Sequence, residues 1–66
     1  MPKYPNVTVK LVGQDGNIFN LLAIVNRAMT KAGISGAERD AFNKAVTSTK
    51  SYDEALGEIL QWVEVK

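Results

Sequence analysis

The stretch Asp15–Ala32 constrains this chain more than any other. Ile18, Leu21, Leu22, Val25, Met29 and Ala32 recur at the i, i+3, i+4, i+7 spacing of one buried helical face. That spacing predicts a helix of about four turns over 18–32. Phe19 and Ile24 fall off the stripe on opposite flanks, so the helix is expected to be covered from more than one side. The chain has 66 residues. At that size only about 60% of the unfolded surface is buried, so the remaining elements must all serve as cover. One domain over 1–66 is expected, with 1–5 as an extended leader framed by Pro2 and Pro5.

From Asn6 to Val12 the chain alternates. Val7, Val9 and Leu11 point one way, and Thr8, Lys10 and Val12 the other, as in a half-buried strand. Gly13 and Gly16 then mark a turn, and Asp15 or Asn17 caps the helix. Gly33 reads as the left-handed residue after the helix. Ser35 and Glu38 have capping-box spacing and open a second helix over 36–47, with a thin apolar set of Ala37, Phe42, Ala45 and Val46. Ser51 and Glu54 repeat that spacing before a third helix over 52–61, whose inner face is read as Tyr52, Ala55, Leu56, Ile59 and Leu60. Alternation returns at Trp62–Lys66, a short closing strand that would bring Glu64 near Lys10. The expectation is a small α+β domain of order β-α-α-α-β, its two terminal strands paired and packed on three helices. Parallel and antiparallel pairing both remain open. A two-stranded ribbon needs the helices behind it and leaves both its edges free.

Several chemistries find no support. There is no cysteine and no histidine. The usual thiol nucleophile, the usual general base and cysteine-based metal sites are therefore missing. The strand–Gly13-x-x-Gly16–helix passage lacks the Gly-Lys-Ser/Thr ending of a phosphate loop and the third glycine of a dinucleotide site. Asp15-Gly16-Asn17 lacks the remaining ligands of a calcium loop. Asp53 and Glu54 stand in a first helical turn, where the dipole favours carboxylates. Nothing in the spacing of Lys10, Asp15 and Tyr52 requires them to meet. No catalytic, cofactor-binding or metal-ligating residue is assigned, and the chain is expected not to be an enzyme. The longest apolar run, Leu21–Val25, is far too short to cross a bilayer. No secretory signal is read at the start, and the absence of cysteine points to a reducing, cytoplasmic setting.

Two kinds of partner are considered. The leading reading is a protein-interaction module, self-associating or binding another protein. Its surface is Thr8, Lys10 and Val12 with the free strand edge, and with Tyr4, which is expected to be exposed in the leader. Val12 motivates this, because a β-branched residue on a polar face has little to pack on. The alternative is weak nucleic-acid binding through a helix-turn-helix-like pair, helices 18–32 and 36–47, offering Arg27, Lys31, Arg39, Asn43 and Lys44. A net charge of +1 supplies little attraction for phosphates, and Glu38 and Asp40 would oppose it. Trp62 has two readings: a core residue whose N–H finds a carbonyl, or an exposed anchor.

At Val9-Lys10-Leu11-Val12-Gly13-Gln14-Asp15-Gly16-Asn17 the chain resembles a family of short, mostly uncharacterised bacterial proteins, some found among phage and plasmid genes. Phe19 and Trp62-Val63-Glu64-Val65 match the family's later elements, an aromatic at the helix start and a closing Trp-Val-x-Val. The resemblance spans nearly the whole chain, with a looser middle and a variant loop at 48–51. It implies one compact domain in the cytoplasm and brings no activity, cofactor or catalytic residue with it.

Overall fold

The computed structural model describes Met1–Lys66. Its elements are β1 (Tyr4–Val9), α1 (Ile18–Lys31), α2 (Gly36–Thr47), α3 (Tyr52–Trp62) and β2 (Val63–Val65). The two strands pair in parallel as a small α+β domain. Parallel pairing demands a long crossover, and the three helices supply it. No helix is long and apolar enough to cross a membrane.

The register corrects the sequence reading of the first strand. Tyr4 lies opposite Val63, Thr8 opposite Glu64 and Val9 opposite Val65, with an irregularity between Tyr4 and Thr8. β1 therefore begins inside the expected leader and ends at Val9, not Val12. Pro5 does not stop it, because an extended φ suits proline where no ladder N–H is needed. β2 offers three residues, so Lys10 and Val12 meet no partner strand. The chain turns there, with the Gln14 N–H bonded to the Leu11 carbonyl and Gly13 at φ +83°. Only glycine takes that angle without strain. Lys10 and Val12 are thus not on a strand face, and Glu64 faces Thr8 in place of Lys10.

The helix ends follow the expected caps. The Asn17 side chain accepts from the Phe19 N–H, and Ser35 and Ser51 accept from Glu38 and Glu54. At the end of α1 the Gly33 N–H bonds to the Thr30 carbonyl and the Ile34 N–H to that of Met29. With Gly33 at φ +82°, these two bonds make a Schellman ending.

The core joins both sheet and helices. Val7, Val9 and Val63 from the ribbon meet Leu21, Leu22, Val25 and Met29 of α1, Phe42 and Val46 of α2, and Ala55 and Ile59 of α3. Val25, Met29, Phe42 and Ile59 are fully buried, each contributing about 1.5–3 kcal/mol of transfer free energy. Four expected core positions differ. Tyr52 and Leu60 are exposed, as are Ala32 and Ala37. α1 is covered on its Ile24 flank, which packs against the core, while Phe19 on the other flank stays 72% exposed. Trp62 is half-buried, its ring edge-on to Phe42 with centroids 5.5 Å apart. Its indole N–H donates to Glu58 Oε1 at 3.3 Å, not to a carbonyl. The accessible surface is 4275 Å², close to the ~4100 Å² typical of a folded monomer of this mass.

Candidate interaction surface

The ribbon has two strands, so the side of β1 away from β2 has no strand beside it. Its orientation follows from one bond. The Val9 carbonyl accepts from the Lys66 N–H, so the peptide groups of Val9 face β2. Peptide groups alternate along a strand. Those of Thr8 therefore face the open edge. Beside that edge runs a groove of about 220 Å³, walled by Asn6, Val7 and Thr8 on one side and by Ala28 and Lys31 of α1 with its cap Ala32 on the other. Lys10 and Lys31 flank that edge. Charged side chains in such positions keep an edge from pairing indiscriminately.

The residues assigned to this surface divide between elements. Thr8 is exposed on the strand. Lys10 is exposed just beyond it, and Val12, 73% exposed, sits in the turn that follows. Leu11 leaves the strand too, yet stays half-buried in a shallow apolar pocket with Leu56, Leu60 and Val65.

Tyr4 is half-buried in β1, not exposed in a leader. Its ring lies 6.3 Å from that of Trp62, and its hydroxyl donates to Glu38 Oε1. Lys3 reaches the same carboxylate at 2.7 Å, the one ion pair of the chain, and its ammonium stands 4.7 Å from the Trp62 ring centroid. These contacts shift all three groups. The Lys3 hydrogen bond, then that of Tyr4, holds the Glu38 carboxyl below its ordinary value. The Glu38 hydrogen bond raises Lys3 and Tyr4 above theirs. Sequence reading assigned Lys3 and Glu38 no shared role. Glu38 was read as a capping-box residue and as a charge opposing phosphates.

The five residues of the nucleic-acid alternative are not presented together. Asn43 exchanges hydrogen bonds with Asn26, at 2.7 and 3.1 Å, across the α1–α2 contact. Arg39 is half-buried with Nε directed at the Ile34 carbonyl, 3.4 Å away. Arg27, Lys31 and Lys44 remain exposed. Tyr52 does meet the loop before α1, but at the Gly16 carbonyl, with no part taken by Lys10.

No family model, curated protein or solved structure matches the chain.

Proposed function

We propose that this chain is a non-enzymatic protein-interaction module that receives an extended segment of a partner protein on the free edge of β1. The observation that carries the reading is the outward orientation of the Thr8 peptide groups, inferred from the Val9–Lys66 bond, beside a groove ready to hold a strand's side chains. Strand addition derives affinity from main-chain hydrogen bonds and specificity from neighbouring pockets. Val12 and Lys10, just past the strand, extend the contact surface. A cytoplasmic setting and carriage by a mobile element belong to the same proposal. The absence of cysteine and the resemblance to phage- and plasmid-borne proteins support them.

Thr8→Pro removes the outward N–H and leaves the Val9–Lys66 bond in place. Val12→Asp charges an exposed residue. In affinity capture from host lysate with nuclease present, the reading predicts a defined protein held by the wild type and lost with either variant. Both variants should melt within about 3 °C of the wild type, as surface changes do. An identical protein set captured by all three chains contradicts the reading.

A further inference from the structure

The chain distributes its charge unevenly. Before Glu38 its one acidic residue is Asp15, against Lys3, Lys10, Arg27 and Lys31. β1 and α1, which bound the groove beside the free strand edge, contain no Asp or Glu. The other acidic residues all lie on α2, α3 and β2. Asp15 stands at the opposite end of α1 from Lys31, a helix roughly 20 Å long. Lys3 is taken up by Glu38.

The groove has one charged wall residue, Lys31. Arg27 lies one turn back on the same side of α1, and Lys10 follows the strand two residues past Thr8. All three are exposed, and none is in an ion pair. The end of α1 does not cancel this charge with open carbonyls. Those of Ala28, Met29 and Thr30 are bonded to the Ala32, Ile34 and Gly33 N–H groups. Glu64 lies on β2, on the far side of β1 from the groove. Ala28 and Ala32 bring only methyl groups to the α1 wall, which leaves room for the side chains of a further strand.

β2 shows what β1 accepts on its closed side. It reads Val63-Glu64-Val65, with Val63 buried, Val65 half-buried and Glu64 exposed opposite Thr8. The same alternation on the open side would set apolar residues over Ala28 and Ala32 and bring carboxylates to the unpaired lysines.

We infer that the segment received at the β1 edge is acidic, an extended stretch of a partner protein in which carboxylates alternate with small apolar residues and meet Lys31 and Lys10. The inference rests on the strand-addition reading and names the chemistry of its partner. Nucleic acid offers phosphates but no main-chain row of N–H and C=O groups for the Thr8 peptide. A second copy pairing through this edge would bring the same cations to it again, and like charges across strands are destabilising.

The test uses the full ¹⁵N-labelled chain and the peptide acetyl-Glu-Val-Glu-Val-Glu-amide. Two control peptides carry Gln or Lys in place of every Glu. The acidic peptide is expected to protect the Thr8 amide from exchange and to shift Thr8, Lys10 and Lys31, with affinity falling as salt is added. Affinity should drop about two- to fivefold in Lys31→Gln and in Lys10→Gln, the size of one exposed ion pair. The Gln peptide should bind the wild type and both variants alike, and the Lys peptide should bind most weakly. Thr8→Pro should lose all three. Equal binding of the three peptides at Thr8 overturns the inference and leaves strand addition standing. No shift at Thr8 with any peptide also overturns it, while strand addition keeps its own test in the protein captured from lysate. Tighter binding of a single-stranded oligonucleotide at Lys10 and Lys31, without protection of Thr8, overturns it in favour of phosphate recognition. Concentration-dependent shifts at Thr8 without peptide overturn it in favour of a second copy.

Discussion

Lys3 Nζ lies 2.7 Å from the Glu38 carboxylate, joining the residue before β1 to the first turn of α2. Tyr4 donates to the same oxygen. Glu38 stands at the third position of α2, where a capping box would turn its side chain back to the Ser35 N–H. Ser35 makes its half of the box, bonding the Glu38 N–H at 3.3 Å. The Glu38 carboxylate instead serves the start of the chain.

The pH dependence of stability follows from that arrangement. Glu38 is held below its ordinary value, first by Lys3 and then by Tyr4. Its contribution is therefore fully present above the unfolded carboxylate pKa, near 4.5, and is lost as pH falls through the lower folded value. Lys3 and Tyr4 are raised, so their contributions are present below their unfolded values and are lost as pH rises through the folded ones. Thermal melts should show the wild type losing more stability than Glu38→Gln between about pH 5 and pH 2. The two curves should converge at the acid end. Parallel curves across that window would show that the pair contributes nothing.

Phe42 is the largest fully buried side chain, and it supports the Trp62 ring. Phe42→Ala should cost about 3–5 kcal/mol. A chain of this length has a total of roughly 3–10 kcal/mol. Urea denaturation should find the variant largely unfolded at 25 °C or close to it. A midpoint near that of the wild type would mean the core does not close on α2.

Two glycines should respond in opposite directions to the same change. Neither Gly33 nor Gly57 has an atom within 4 Å of where a Cβ would stand, so sterics do not decide. Backbone angle does. Gly33 holds φ +82° at the end of α1, and Gly33→Ala should cost roughly 1–2 kcal/mol. Gly57 lies inside α3, and Gly57→Ala should stabilise by about 0.5–1 kcal/mol. Denaturant midpoints shifting down for the first and up for the second check both.

Local signals carried much of the fold. Asn17, Ser35, Ser51 and Gly33 mark helix ends because capping is settled within three or four residues of sequence. Leu21, Leu22, Val25 and Met29 declare their face by spacing alone. The misreadings arise where a distant partner decides. Alternation runs on to Val12, but strand length is set by what β2 pairs with, and β2 stops opposite Val9. Parallel direction likewise depends on the path of the crossover, not on either strand. Tyr4 appeared exposed because its partners Trp62 and Glu38 are remote in sequence. Of the candidate surface, Thr8 was legible as an outward strand residue, while Lys10 and Val12 were placed on the wrong element. Tyr52 was read on the inner face of the third helix and is exposed instead, its hydroxyl bonded to the Gly16 carbonyl, a partner remote in sequence.

The claim that β1 receives a partner strand is tested most directly by amide hydrogen exchange, read residue by residue on the free chain and on the complex with the captured protein. In the free chain the Thr8 amide, facing the open edge, should exchange fast. The Lys3 and Lys66 amides, bonded to Gln61 and Val9, should be slower. On binding, Thr8 should become protected while those two change little. A Thr8 amide that exchanges equally fast in the complex would contradict strand addition at this edge.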